Sequence, residues 1–145
     1  MSSEEIRAFL AEQRVVICAT NGLHGWPHLM PLWYLVRGED VWSWTYAKSQ
    51  KVRNLERDPR ATLQIEDGEE YQELRGVMME AQAVIHRDLD TVARFGAELF
   101  ERYTGAEPGS QLDELVRAQA PKRVALQFRT QRTATWDHRK LGGAY

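Results

Sequence analysis

The chain has 145 residues, 19 basic and 21 acidic side chains and a formal net charge of −2, a size that fits one domain and a charge balance that argues against non-specific nucleic-acid binding. Cys18 stands alone, which excludes an intrachain disulfide framework and any multi-cysteine zinc site. No basic segment followed by an apolar run marks a secretory signal, and no stretch approaches the roughly 18 apolar residues of a membrane span. A cytoplasmic protein is expected, with a mean hydropathy of −0.54 leaving a well-solvated exterior and five tryptophans as the unusual feature of composition.

In chain order, Ser2 lies three residues before Glu5, the spacing of a capping box, and Ile6, Phe9 and Leu10 recur at helical intervals, predicting a short amphipathic helix. Val15 to Thr20 is a β-branched apolar run that ends at Asn21-Gly22; this pair, with Gly25 and Pro27, marks a hairpin-like loop. His28 to Val36 reads as a second strand, Arg37 to Asp40 as a turn, and Val41 to Tyr46 as a third strand rich in aromatic residues. Ser49 to Arg57 is a short helix stopped by Asp58-Pro59. Ala61 to Ile65 and Tyr71 to Met79, divided by Asp67-Gly68, form another hairpin that Glu80 to His86 extends around a bulge. A longer helix spans Asp88 to Tyr103 with Val92, Phe95, Leu99 and Tyr103 on one stripe. Pro108-Gly109 breaks the chain, Ser110 caps a helix carrying Leu112, Leu115 and Val116, and Pro121 ends it. Two late strands follow, Arg123 to Arg129 and Thr133 to Trp136. Six or seven strands joined mostly by short turns, with three or four helices, predict a largely antiparallel β-barrel with peripheral helices.

The densest chemistry lies where the third strand runs into the short helix. The first-turn amides of a helix are unsatisfied donors at the positive end of its dipole, and here Lys48, Ser49 and Lys51 surround them, a constellation that suits a phosphate. The same lysines also suit a solvated helix face near Glu56 and Asp58. Lys48 to Arg60 holds five basic and two acidic residues, more cation than one phosphate requires. Pro31 cannot donate to a sheet ladder, so Met30, Pro31 and Leu32 belong on an edge strand or bulge. Trp26, Trp33, Trp42 and Trp44 cluster in the first hairpin region, where alternation sends one face to the core and the other to a groove. Arg75 is a binding candidate that equally suits pairing with Glu66, Asp67, Glu69, Glu70 or Glu73. Lys122 to Lys140 carries six basic residues against Asp137 alone. His24 and His28 are separated by Gly25 and Pro27, which preclude the regular helix that would align them on a metal, and Cys18 reads as a small buried hydrophobe. No GxSxG elbow, phosphate-loop signature or GxGxxG sequence is present, so hydrolase, nucleoside-triphosphatase and Rossmann readings have no support.

Trp44, Thr45, Ser49, Gln50 and Lys51, followed by Leu55 and Pro59, resemble the flavin-phosphate motif of pyridoxamine 5′-phosphate oxidases, with Gln50 where that family has arginine and Lys48 available as a cation from the other side. The chain is more closely similar to the flavin and deazaflavin oxidoreductase B family, the coenzyme F420-using branch of that split-barrel superfamily. The likeness runs from about Val15 through Leu141. It includes His28-Leu29-Met30-Pro31-Leu32-Trp33-Tyr34, Lys48-Ser49-Gln50-Lys51, Asn54-Leu55, Arg57-Asp58-Pro59-Arg60, Glu66-Asp67-Gly68, Leu74-Arg75-Gly76-Val77, Arg102-Tyr103-Thr104-Gly105 and Thr135-Trp136-Asp137-His138-Arg139-Lys140-Leu141. The resemblance implies a mainly β split barrel that forms a homodimer, with a cofactor in each of two interface grooves. It implies that hydride passes from reduced F420 to an unsaturated or aromatic small molecule. It further implies that Met30, Pro31 and Leu32 lie against the cofactor ring, that Trp44, Thr45, Lys48, Ser49, Gln50 and Lys51 serve its phosphate end, and that Trp136, His138, Arg139 and Lys140 close near the groove. His138 is then a candidate proton source. FMN is the alternative cofactor, and a non-catalytic carrier of F420, a tetrapyrrole or a fatty acid is the alternative outside enzymology.

Overall fold

The computed structural model describes residues 1–107 and 109–142. Helix α1 (Ser3–Glu12) starts with the expected capping box, in which Glu5 N–H donates to Ser2 Oγ and Ser2 N–H donates to Glu5 Oε2. Strand β1 (Val16–Asn21) turns through Gly25, whose φ of 81° favours glycine, into β2 (Pro27–Leu32). The expected second strand over 28–36 is two strands, because β3 (Tyr34–Arg37) separates from β2 at Trp33. The reason is the company Trp33 keeps: its carbonyl accepts from Ser43 Oγ at 2.7 Å, and the next N–H, of Tyr34, donates to Tyr103 Oη at 3.0 Å. Side chains there take the bonds a ladder would have made.

Strand β4 (Asp40–Tyr46) leads into α2 (Gln50–Arg57), with Ser49 as the N-cap residue. Strands β5 (Arg60–Asp67) and β6 (Arg75–His86) pair antiparallel. Tyr71–Glu73, expected within the second strand of this hairpin, is instead a single 3₁₀ turn, and the strand begins at Arg75. Arg75 therefore opens the sixth strand rather than lying in a fifth. The bulge expected along Glu80–His86 is not in this hairpin, whose ladder is unbroken; it lies in the next ladder, where Glu80 faces Arg132 and Ala81 faces Thr130, leaving Gln131 of the last strand as the extra residue. Helix α3 (Leu89–Thr104) is capped by Asp88, which accepts from Thr91 N–H, and helix α4 (Ser110–Gln119) ends in a 3₁₀ turn over Ala120–Lys122. Pro108 and the Ser110 side chain lie outside the described residues. The two late strands are one, β7 (Arg123–Asp137), since β6 supports its ladder through the polar stretch around Gln131.

All ladders are antiparallel, in the order β2-β1-β5-β6-β7-β4-β3. Inward residues from β1 and from β3 to β7, among them Val16, Cys18, Tyr34, Val41, Leu63, Val77, Leu126 and Phe128, share one core with Val52 and Leu55 of α2 and Phe9 and Leu10 of α1. A sheet that surrounds one core in this way is a barrel, and β2 and β3 form no ladder with each other, so it is split. A second core lies outside the barrel, where α3 covers Trp44 and Ala125 with Val92, Phe95 and Leu99. Trp42 and Trp44 thus pack under a helix, whereas Trp26 is 81% exposed. No helix among the described residues is long and apolar enough to cross a membrane.

Candidate functional site

Alternation along β4 sends Thr45 into the barrel and Trp44 out beneath α3, where its ring meets Gly96 and Phe100 and its Nε1 is buried without a hydrogen-bond partner. Three residues past the strand, Ser49 N–H donates to Tyr46 O at 3.1 Å and α2 begins. Ser49 makes no side-chain cap; its Oγ is buried and without a hydrogen-bond partner, and the N–H groups of residues 50–52 have no acceptor within the helix. Helix α2 is tied to β1 by Asn54, whose Nδ2 donates to Thr20 Oγ1 at 3.0 Å, and by Arg57, which donates to Asn21 O at 2.7 Å. Gln50 is spent on Asn54 Oδ1 at 2.9 Å, and Lys48 is exposed.

Lys51 departs from the expected surface helix face. It is 6% exposed, because its stem enters the barrel, and its Nζ donates to Thr45 Oγ1 at 3.0 Å. Among the described residues no carboxylate forms an ion pair with it. Burial lowers its pKa below the ordinary lysine value, and the charge of Arg123 adds to the effect. The neighbouring Cys18 is equally buried, and loss of solvent pushes its thiol up to about 12, which makes it inert as a nucleophile. A buried cation without counter-charge, an orphaned hydroxyl and an uncapped helix N-terminus fit an anionic group such as a phosphate.

Met30, Pro31 and Leu32 lie on the edge strand β2, opposite Cys18, Ile17 and Val16 of β1, the strand to which α2 is tied. Met30 and Pro31 are exposed. Arg75, Trp136 and His138 are elsewhere. Val124 of β7 pairs with Thr45, and Trp136 lies twelve residues further along that strand, about 40 Å of extended chain, opposite Gly76. Arg75 is engaged by Asp67 at 2.7 Å and Glu12 at 3.3 Å and lies over the Phe9 ring, so the pairing with the acidic cluster is realised through Asp67. His138 Nδ1 donates to Tyr71 O at 2.8 Å, and Arg139 and Lys140 pair with Asp137 and Glu5. Within one chain the candidates therefore divide between the two ends of β7, with Trp44 on the outer face. The sequence counts Arg123 only within the terminal basic run, yet it stands opposite Tyr46 with its guanidinium over the Tyr46 and Trp44 rings. Its signal in the sequence is position alone, at the start of the strand that follows Pro121.

The family model of pyridoxamine 5′-phosphate oxidase matches residues 2–137. Among solved structures, the conserved hypothetical protein Rv2991 of Mycobacterium tuberculosis is 41% identical over all of this chain and 90% of its own, with a TM-score of 0.90. An F420 reductase is 21% identical over 88% of this chain and 94% of its own, with a TM-score of 0.71. The heme storage protein HutZ of Vibrio cholerae is 18% identical over 93% of each chain, with a TM-score of 0.70. The last two are likenesses of fold. No curated protein matches the sequence significantly.

Proposed function

The chain belongs to the pyridoxamine 5′-phosphate oxidase family, and from that premise we propose that it is an F420-dependent reductase acting on an unsaturated or aromatic small molecule. Lys51 carries this reading. An ammonium held out of water with one hydroxyl partner and no counter-charge is costly, and a ligand phosphate removes that cost. When bound, reduced F420 supplies a hydride to the substrate.

The chain's own residues bind and orient. Lys51, Ser49 and the first-turn amides of α2 hold the phosphate, while the exposed backbone and apolar side chains of Met30, Pro31 and Leu32 meet the ring and exclude water from it. Deazaflavin is favoured over FMN by the charge around α2. Arg60 is paired with Asp58 and Glu56 with Arg87, but Lys48 and Arg53 have no carboxylate partner among the described residues and are available to an acidic tail. Arg75, Trp136 and His138 stand too far from Lys51 along their own chain, so in this reading they reach the groove from a second copy, in a homodimer. In this reading the proton that completes reduction comes from solvent or from His138, whose ring is oriented by the bond from Nδ1 to Tyr71 O.

The test is a paired fluorescence titration of cofactor-free protein with F420 and with FMN, followed by a quinone or nitroaromatic acceptor added to the protein with reduced F420. Selective saturable F420 binding, with oxidation only after the acceptor is added, is expected. Preference for FMN would make it a flavoenzyme, F420 binding without turnover would make it a carrier, and either result overturns the proposal.

A further inference from the structure

We infer that Trp33 is the substrate wall of the proposed groove: the free face of its indole takes a flat, electron-poor ring such as a quinone or a nitroaromatic. The inference rests on the reading above, in which Met30, Pro31 and Leu32 meet the cofactor ring, and it names the class of acceptor. Trp33 follows Leu32 directly, at the point where the chain leaves the β1 ladder. Leu32 and Met30 stand opposite the core residues Val16 and Cys18, so Leu29 and Pro31, opposite Ala19 and Ile17, are on the outward side of β2. The indole continues that side. It meets Phe100 of α3 edge-on at 6.3 Å, and Phe100 in turn meets the outward-facing Trp44. Leu29, Pro31 and Trp33, all exposed, thus form one apolar strip outside the barrel.

One face of this indole is already taken. The ring stacks on Tyr103 at 4.4 Å with 14° between the planes, and Tyr103 Oη donates to Arg14 O at 2.8 Å, so the backing is fixed. From the other side of the chain, Ser43 Oγ donates to Trp33 O at 2.7 Å. Trp33 is nevertheless 44% exposed, and with one face on Tyr103 and an edge on Phe100 the accessible part of the ring is the opposite face. Trp26 is more exposed, at 81%, but has no aromatic partner among the described residues to hold its ring. An aromatic face set in place beforehand binds with little loss of side-chain freedom. The indole face is the most electron-rich among the side chains, so it favours electron-poor rings, which are also the rings that accept hydride. An acceptor held by one face on Trp33 keeps its other face for the cofactor. If Trp33 only fills the break between β2 and β3, no planar ligand seeks it, and that difference is measurable.

The experiment titrates 1,4-naphthoquinone into wild type, Trp33→Leu, Trp33→Phe and Trp26→Leu, each cofactor-free and saturated with oxidised F420, and records affinity and absorption difference spectra. The lone thiol, Cys18, is buried and does not consume the quinone. Wild type is expected to show a long-wavelength charge-transfer band that Trp26→Leu keeps and Trp33→Leu loses, with affinity about tenfold weaker in Trp33→Leu. Phenylalanine is a poorer electron donor, so Trp33→Phe is expected to keep most of the affinity with its band at shorter wavelength, a shift that a merely structural role would not produce. No band in wild type overturns the inference, as does a band and affinity unchanged in Trp33→Leu. If Trp33→Leu lowers the unfolding temperature of the unliganded protein, Trp33→Phe decides alone, and an unshifted band overturns the inference. Quinone held by Trp33 yet not reduced when reduced F420 is added overturns the reductase reading while upholding the stacking site, so the two failures are told apart.

Discussion

The ammonium of Lys51 is held by one hydroxyl, Thr45 Oγ1, and its pKa is lowered by burial, with a smaller contribution from the charge of Arg123. In the folded chain it releases its proton more readily than in the unfolded chain. Between that lowered value and the ordinary 10.5 the unfolded state holds more protons, so stability rises with pH across this window; below it both states are charged and the cost of burial is fully present. Lys51→Met keeps the length of the stem and removes the charge. Without ligand the variant is expected to be at least as stable as wild type at neutral pH and to lack the alkaline rise. It is also expected to bind F420 more than about tenfold more weakly, since a charge-assisted bond to phosphate is gone. Thermal unfolding from neutrality to pH 10.5, with a cofactor titration, checks all three; a variant less stable than wild type at neutral pH would show that the bond to Thr45 outweighs the burial. The motif position of Lys51 was legible in the sequence, but its burial was not: a lysine among Gln50, Arg53 and Asn54 reads as solvated, and only the barrel wall built from β1 and β4 takes it out of water.

At the level of elements, features read correctly are those whose causes are local. The Ser2–Glu5 cap and the buried stripe of α3 each depend on residues within a few positions of one another. The breaks and joins that were not legible depend on remote partners. Trp33 interrupts a continuous apolar run because Ser43 and Tyr103 claim the backbone around it, and the polar residues of β7 stay in a strand because β6 lies alongside. One of those long ladders contains a close crossing, at Gly76. A Cβ there would stand 2.1 Å from Cζ2 of Trp136, so the indole lies flat across the place a side chain would occupy. Gly76→Ala is expected to destabilise the protein by about 1–3 kcal/mol, the range of overpacking in a tight site. Urea unfolding measures it, and an unchanged midpoint would mean that the Trp136 ring moves aside freely.

For the whole molecule, the apolar exposure is concentrated on the β1–β2 hairpin and its exit. Leu23, Trp26, Leu29, Met30 and Trp33 are all exposed, an accumulation that isolated domains usually avoid. A second copy of the chain covering this surface is expected, and light scattering on the purified protein is expected to give twice the chain mass. Leu29→Asp combined with Met30→Asp places two charges on the edge strand and is expected to yield monomers that have lost cofactor affinity along with the groove. Monomeric wild-type protein at micromolar concentration would remove the dimer, and with it the contribution of Arg75, Trp136 and His138 to the site.

Beside the split in the barrel, the backbone around Trp33 and Tyr34 is held by a helix rather than by a strand. Tyr103 Oη accepts from Tyr34 N–H and donates to Arg14 O, its ring stacks on Trp33 at 4.4 Å, and Arg102 donates to the carbonyls of Tyr34, Ala11 and Gln13. The last turn of α3 therefore fastens Trp33 and the start of β3 to the end of α1. Fraying of that one turn releases the Tyr34 amide, the end of α1 and the Trp33 ring together, so amide protection at these three places rises and falls as one unit. The start of the strand that follows Trp33 thus takes its rigidity from a helix remote in sequence, whereas the edge strand β2 is held by its ladder with β1.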